Sequence, residues 1–380
     1  MKLTISKDYL NESIQHVSKA ISSRTTIPIL SGIKFDADFS GVTLTASDTD
    51  ISIQSHIPNE IDNEQVVTLY TKGSVVLPAK FFMEIVRKLP SDTIEIEVTN
   101  HFHTTIRAGT SEIQMVGLDP EEYPVLPSLE ENKVISMASD LLKAMIKQTA
   151  FAVSTSETTP ILTGVLWTLS DNQLKFTACD RHRLASREVN METPSEQQFQ
   201  NIVISGKTLN ELNKILPDQN MLVDIVVSDN QVLFRLNNIL FYSRILDGTY
   251  PDMTKVIPQS FQTELVIKAK LLTEAIDRAY LLSREEKTNI VKMVMKEDYT
   301  IEISSSSTEL GKVTETLACE QLTGDLLRIS FNSKYMMDAL KALDSDSIRF
   351  RFTGPMSPII ITPEDGTNML QLILPYRTVN

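Results

Sequence analysis

The stretch TTIPILSG at residues 25–32 decides how this chain is organised, because a near copy, TTPILTG, returns at residues 158–164. Related sequence also surrounds Lys80, Lys207 and Lys334. The step from the first of these lysines to the second is 127 residues, and the step from the second to the third is again 127. This period is too long for a solenoid unit and fits a whole domain. The sequence therefore predicts three copies of one domain, with bounds at 1–127, 128–253 and 254–380.

Each copy has the pattern of an antiparallel sheet accompanied by two helices. In the first copy, Leu3 and Ile5 alternate with polar residues, and apolar residues then recur at helical spacing from Tyr9 to Ile21. Alternating runs at 93–98 and 347–352 predict half-buried strands. The second helix of each copy is predicted at about 79–89, 206–216 and 332–343. The predicted fold class is α+β.

Composition indicates a water-soluble protein of the cytoplasm. The 380 residues are 42% hydrophobic and 22% charged, which is ordinary for a globular chain. No apolar run approaches the roughly 20 residues that a membrane-spanning helix needs, and residues 1–8 have no apolar signal core. The two cysteines, Cys179 and Cys319, are typical of a reducing compartment.

The distribution of charge qualifies the acidic total of −13. The six predicted helices carry 14 basic and 8 acidic residues, a net charge of +6, which leaves −19 for the remainder. Lysine is also a good helix former on a solvated face, so this pattern alone has an ordinary explanation. Its repetition at six helices favours a shared cationic surface that contacts a phosphate backbone without reading sequence.

Several motifs resemble one family along the whole chain. They are the threefold repeat, the Pro-Ile-Leu-x-Gly turns, DRHRLA at 180–185, GTYPD at 248–252 and LPYR at 374–377. Together they are similar to the β subunits of bacterial DNA polymerase III, the β sliding clamps. The resemblance implies the DNA-clamp fold and a ring-shaped, head-to-tail homodimer that encircles double-stranded DNA, with sheets outside and helices lining the hole. It also implies a non-catalytic processivity factor of DNA replication, without metal or cofactor, that is loaded by an ATP-driven clamp loader and tethers the replicative polymerase and other proteins with a clamp-binding motif.

In this family, partner peptides bind between the second and third domains. The resemblance carries that pocket to fourteen positions drawn from separated segments of this chain, which ordinary interdomain packing would also explain: Leu162, Cys179, Asp180, Arg181, His182, Arg183, Leu184, Pro251, Val256, Leu372, Leu374, Pro375, Tyr376 and Arg377. Three positions depart from the family pattern: Thr159 replaces a frequent arginine, Arg181 a glycine or serine, and Cys179 a threonine or serine.

The resemblance also implies residues for the dimer contact and the DNA-facing surface. The interface candidates, each of which could equally belong to a domain core, are Ile85, Leu89, Ile113, Met115, Leu281 and Leu282. The DNA-facing candidates combine an arginine that matches a DNA-contacting family position with five helix lysines: Arg24, Lys80, Lys143, Lys147, Lys207 and Lys334.

Two alternatives belong to other functional classes. A metal-dependent hydrolase could use Asp48, Asp50, Asp180 and His182 as ligands, but no zinc-type spacing, nucleophile elbow or phosphate loop accompanies them. A protein-only scaffold would share the repeats without binding DNA. Retention on circular DNA, measured before and after linearisation, distinguishes a scaffold from a clamp.

Overall fold

A computed structural model describes residues 1–22, 25–126, 134–192, 198–285 and 289–377. Its contacts divide the chain into two compact units. Unit 1 comprises Met1–Asp140 and Lys214–Ile245, and unit 2 comprises Leu141–Asn213 and Leu246–Asn380.

In its described part, the first third of the chain forms two α-helices and eleven strands. The apolar face of α1 buries Leu10, Ile14 and Val17. The elements are β1 Lys2–Ser6, α1 Lys7–Val17, β2 Gly32–Asp38, β3 Gly41–Ser47, β4 Ile51–Pro58, β5 Glu60–Ile61, β6 Glu64–Gln65, β7 Val67–Thr71, β8 Gly73–Pro78, α2 Ala79–Lys88, β9 Thr93–Val98, β10 His103–Ala108 and β11 Ser111–Val116.

The middle third has two helices and eight strands in its described part. They are β12 Val134–Ala138, α3 Ser139–Thr149, β13 Gly164–Ser170, β14 Gln173–Cys179, β15 Arg183–Asn190, β16 Phe199–Ser205, α4 Gly206–Ile215, β17 Leu222–Val227, β18 Gln231–Leu236 and β19 Ile239–Arg244. The segment after β19 contains a 3-10 turn at Met253–Val256.

The last third has two α-helices and nine strands among its described residues. They are β20 Thr263–Lys268, α5 Ala269–Glu285, β21 Ile290–Met295, β22 Thr300–Ser307, β23 Gly311–Ala318, β24 Gln321–Gly324, β25 Arg328–Asn332, α6 Ser333–Leu343, β26 Ser347–Phe352, β27 Ile359–Pro363 and β28 Met369–Ile373. All pairings are antiparallel in the sheets of both units, so the predicted α+β class is confirmed. The predicted bounds of α2, α4 and α6 agree with the structure to within about one residue.

Two sheets cross the predicted domain bounds. In unit 1, an eight-stranded sheet in the order β12-β17-β18-β19-β4-β3-β2-β8 pairs β19 with β4. In unit 2, a nine-stranded sheet in the order β16-β13-β14-β15-β28-β27-β26-β20-β24 pairs β15 with β28. Hydrogen bonds are continuous across these junctions, which explains why contacts divide the chain into two units although its sequence repeats three times.

The remaining sheets end in open edge strands. Unit 1 has a five-stranded sheet, β11-β10-β9-β1-β7, and the small pair β5-β6. Unit 2 has a four-stranded sheet, β23-β22-β21-β25. Among the described residues, strands β11 and β23 each pair on one side only.

The first two copies superimpose in register with a constant offset of 132 residues, from α1 and β2–β4 to α3 and β13–β15. One rung of the sheet in unit 1 runs Phe35–Leu44–Ser55–Ile239. The matching rung in unit 2 runs Trp167–Phe176–Arg187–Met369. Ser55 therefore stands where unit 2 has the long side chain of Arg187. It hydrogen-bonds Ser13 at 2.8 Å and borders a cavity of about 290 Å³.

The helices are basic, although less so than the sequence predicted. With the observed bounds, α1 to α6 contain 13 lysine and arginine residues and 9 aspartate and glutamate residues, a net charge of +4. The difference arises because Lys19 lies beyond α1 and Glu285 lies within α5. Among the described residues, no helix is both long and apolar enough to span a membrane.

Candidate functional site

A tight turn between β14 and β15 carries the polar residues of the predicted pocket, and it lies in unit 2. The Asp180 carboxylate accepts hydrogen bonds from the backbone N–H groups of His182 at 3.0 Å and Arg183 at 3.1 Å. Between Asp180 and His182, Arg181 has a φ of 76°, in the left-handed region that favours glycine. Asp180 shapes this turn but does not line the cavity beside it.

All three nitrogens of the Arg183 guanidinium donate hydrogen bonds within the chain. Its Nε donates to Asp180 at 2.9 Å, Nη1 to Asp338 on α6 at 2.7 Å, and Nη2 to the carbonyl of Phe151 at 2.7 Å. The guanidinium also stacks 4.5 Å from the ring centroid of Tyr335. Its side chain is only 11% exposed, so its polar atoms are committed to the fold although the residue lines the pocket.

The pocket itself is an open cavity of about 300 Å³ with an apolar floor. Ten of the fourteen predicted residues line it, drawn from the segment at 160–163, the end of β14 and the turn after it, β15, the segment at 251–256, and β28 with the residue that follows it. The full lining is Thr159, Leu162, Cys179, Arg181, His182, Arg183, Leu184, Pro251, Met253, Val256, Leu372 and Leu374. Val256 is 45% exposed and Leu374 39% exposed, so apolar surface remains open at the mouth.

A second cavity of about 480 Å³ adjoins the first and shares His182 and Leu374 with it. The remaining predicted residues line this one: Pro375, Tyr376 and Arg377. The chain end is fixed here, because Leu374 N–H donates to the carbonyl of His182 at 2.8 Å and Tyr376 N–H to that of Ser330 at 2.7 Å.

Several residues around these cavities were missed by sequence reasoning. Met253 lines the first cavity, and Asn332 and Tyr335 line the second. Asp338 and Phe151 hold Arg183. A capping signal, Asp252 accepting from Thr254 N–H, marks the turn that positions Met253 and was readable in the sequence. The others depend on how α6 packs.

Cys179 is buried beneath the pocket floor. Its N–H donates to the Tyr250 hydroxyl at 3.0 Å, and burial raises the pKa of its thiol. Burial also raises the pKa of Tyr250 well above its usual range. Both groups are therefore neutral near pH 7. A buried, protonated thiol is a poor nucleophile, so Cys179 is expected to react slowly with thiol reagents.

Unit 1 repeats the turn with different side chains. Asp48 accepts from the N–H groups of Asp50 and Ile51, and Thr49 has a φ of 82°. Around it, polar residues stand at several positions that are apolar or cationic in unit 2. By offset and strand register, Cys179, His182, Leu184, Leu372 and Leu374 correspond to Ser47, Asp50, Ser52, Tyr242 and Arg244.

The helix lysines share one local position. Lys80, Lys207 and Lys334 are each the second residue of α2, α4 and α6, and all are exposed. Lys147 on α3 is exposed and Lys143 is half-buried. Within the described ranges, no carboxylate lies within 4.0 Å of the amino groups of Lys80, Lys147, Lys207 or Lys334. Arg24 lies outside the described residues.

The predicted interface residues divide by exposure. Leu281 on α5 is 57% exposed, whereas Leu89, which follows α2, is 3% exposed and offers little surface to a partner. The half-buried residues are Ile85, Leu282, Ile113 and Met115, the last two on the edge strand β11. In the part of the chain that the structure describes, no group of three or more metal-ligating side chains is present.

Comparison with known proteins gives one consistent result over the full chain. Models of the DNA polymerase III beta subunit match residues 1–127 (N-terminal domain), 136–252 (central domain) and 254–377 (C-terminal domain). The beta sliding clamp of Bacillus subtilis is 54% identical, and the alignment covers 100% of both chains.

Solved structures agree with this match. The crystal structure of the DNA polymerase sliding clamp from Bacillus subtilis superimposes with a TM-score of 0.97 at 53% identity, covering 100% of both chains. That of the DNA polymerase III beta chain from Streptococcus pneumoniae gives 0.95 at 36% identity, covering 99% of this chain and 100% of the other.

Proposed function

The chain belongs to the DNA polymerase III beta subunit family, and we propose that it acts by closing a two-copy ring around duplex DNA and by seating partner peptides in the pocket of unit 2. It is a DNA sliding clamp of DNA replication, a non-catalytic processivity subunit. Its partners are double-stranded DNA, a second copy of itself and the replicative polymerase. The clamp loader and other proteins that carry a clamp-binding segment would use the same pocket.

One observation supports the pocket most directly: apolar surface stays open above a rigid floor. Val256 and Leu374 are partly exposed at a mouth whose base is the buried cluster of Leu162, Leu184 and Leu372. A concave apolar site with a few polar groups on its rim suits an extended peptide with hydrophobic anchors. The turn at 180–183 and the chain end after β28 would hold these walls in place before any peptide binds.

Ring closure would use the two open edges. Strand β11 in unit 1 leaves one side unpaired, with Val116 59% exposed and Phe81 on α2 64% exposed. Strand β23 in unit 2 likewise leaves one side unpaired, beside Leu281 of α5. Unpaired edges are templates for another strand. Pairing β11 of one copy with β23 of another would be heterologous, and it would close after two copies.

The DNA-facing surface would include the lysines that open α2, α4 and α6. A cation near a helix N-terminus is disfavoured by the helix dipole by about 0.3–1 kcal/mol. Three lysines at this unfavourable position are better explained by a ligand than by stability. Their contact with phosphates would be weak and independent of sequence, which is compatible with sliding.

Two further parts of the proposal follow from the family. We propose that residues 1–127, 128–253 and 254–380 are the three copies of the clamp domain, which the 132-residue offset between the first two supports. We also propose that the protein works in the cytoplasm, where bacterial DNA is replicated.

The decisive experiment uses topology. The clamp is loaded onto nicked circular DNA by the clamp loader and separated by gel filtration, and half of the complex is then linearised. A ring predicts retention on the circle and loss from the linear form. Equal retention on both would indicate direct gripping, and no retention on either would favour a scaffold that does not bind DNA.

A further inference from the structure

We propose that Arg181 is a specificity residue of the peptide pocket, which favours partner segments with an acidic side chain beside their hydrophobic anchors. This inference rests on the proposed use of the pocket. It concerns a residue whose type departs from the family pattern, and its basis is the geometry and charge of the rim.

The backbone of the turn fixes where Arg181 points. Its φ of 76° is matched by 82° at Thr49 in the corresponding turn of unit 1, and in both turns an aspartate accepts the two N–H groups that follow. The left-handed conformation is therefore a property of the turn, and a non-glycine residue there has an unfavourable backbone. The direction of the Cα–Cβ bond of Arg181 is consequently set by the turn.

That direction takes the guanidinium across the pocket rim. Arg181 Nη2 donates to the Thr159 hydroxyl, and both residues line the cavity. Arg181 is exposed, so its charge meets solvent and any occupant. A serine or glycine at this position would leave the rim without a charge.

The Arg181 guanidinium has no ion-pair partner of its own. Asp180 and Asp338 both pair with Arg183, and among the described residues no carboxylate lies within 4.0 Å of the Arg181 guanidinium. The pocket lining contains two arginines and a histidine but no aspartate or glutamate. Because Arg183 and its two carboxylates together carry a net charge of −1, the attraction for an anion is local to the exposed Arg181 guanidinium and requires direct pairing with it.

The expected preference is modest, because the pair would be partly exposed. Exposed ion pairs change affinity by about two- to fivefold and weaken as salt increases. The apolar anchors would supply most of the affinity, and Arg181 would determine which neighbouring side chains are preferred.

The test is a paired scan of one peptide. The probe is a fluorescein-labelled nonapeptide from the C-terminal tail of the replicative polymerase, in which each position outside the apolar anchors carries Asp in one version and Asn in the other. Anisotropy titrations against the wild type, Arg181→Gln and Arg181→Gly give an Asp-to-Asn affinity ratio at each position. Lys175→Gln, four residues before Cys179 on β14, is the control with the same change in charge.

We expect at least one position with a ratio of about two to five in the wild type and in Lys175→Gln. The ratio should fall to near one in both Arg181 variants and in high salt, while Lys175→Gln binds every peptide as the wild type does. The role of Arg181 would be overturned if the Asp-to-Asn affinity ratio is near one at every peptide position in the wild type. It would also be overturned if Arg181→Gln keeps the ratio of the wild type. If no peptide binds the wild type, the pocket proposal fails, and this inference fails with it.

Discussion

The Arg183 guanidinium donates a 2.7 Å hydrogen bond to the Asp338 carboxylate, joining β15 to α6 across 155 residues of chain. Helix α6 also carries Tyr335, on whose ring the Arg183 guanidinium stacks. Arg183 therefore links the third copy of the repeat to the turn that shapes the pocket. Both ends of this link lie in unit 2, so removing Arg183 should lower the stability of that unit in particular.

Removing this arginine should destabilise unit 2. We expect Arg183→Ala to reduce the free energy of unfolding by about 2–3 kcal/mol, since it leaves Asp180 and Asp338 without their partner. The fluorescence of Trp167, the single tryptophan, reports on unit 2 during urea denaturation. Arg284→Ala, whose side chain is 57% exposed, is the control and should change stability by less than about 0.5 kcal/mol. An equal loss of stability in the two variants would contradict the role of Arg183 in linking β15 to α6.

Reversing the charge of the three lysines near the starts of α2, α4 and α6 should weaken DNA contact without lowering stability. In the variant with Lys80, Lys207 and Lys334 all changed to Glu, each carboxylate is favoured by the helix dipole, so Tm should stay the same or rise. Loading onto circular DNA should weaken, most strongly at low salt. The control changes Lys72, Lys175 and Lys296 to Glu, with the same change in net charge. Equal losses of loading in both variants would refute a localised DNA surface.

Polar substitution at the pocket mouth should abolish most peptide affinity. Burying a large apolar side chain contributes about 1.5–3 kcal/mol, so Val256→Ser and Leu374→Ser should each weaken a polymerase-tail peptide by about tenfold or more. Leu222→Ser on β17 of unit 1, where the leucine is 68% exposed, is the control. Anisotropy titration measures all three. Unchanged affinity in the first two would remove the pocket from this position.

Charge at the proposed interface should open the ring. Wild-type protein at micromolar concentration should sediment at about twice 42.7 kDa. Leu281→Asp with Leu282→Asp should give monomers, because a charge without a partner is costly at an apolar contact. Leu271→Asp, near the start of α5 and 46% exposed, should leave the dimer intact. A wild type that is monomeric at this concentration would count against the ring.

The buried thiol of Cys179 and the half-buried thiol of Cys319 should react slowly with alkylating agents. Burial raises the pKa of Cys179, and it raises the pKa of Cys319 to about 11. The thiolate is the reactive form, so labelling by iodoacetamide at pH 8 should be slower than for free cysteine and should accelerate as the pH rises further. Mass spectrometry of the labelled peptides distinguishes the sites, with Cys179→Ser as the reference. Fast labelling of Cys179 at pH 8 would show that the pocket floor opens.

The sequence predicted the parts of this molecule that depend on local pattern. The repeats, the helices at α2, α4 and α6 and the strands at β9 and β26 all follow from periodic apolar residues. The bonds of Arg183 could not be predicted in this way, because Asp338 becomes its neighbour only when α6 packs on the second copy. Met253 could not be predicted either, because it lies in a polar, proline-bearing segment without helix or strand periodicity. The cavity beside Ser55 depends on the register of a sheet shared between two copies.

Under the proposed function, the unlike turns of the two units would set how many partners a ring can hold. The backbone at 48–51 repeats that at 180–183, but Asp50, Ser52 and Arg244 are polar or charged where His182, Leu184 and Leu374 line the pocket. Each chain would then have a valence of one for clamp-binding peptides, and a two-copy ring would have a valence of two. One partner would occupy a site while a second waits on the same ring, and a third would have to compete. Exchange between polymerases on a single clamp would therefore depend on the concentration of free tails as soon as both sites are filled.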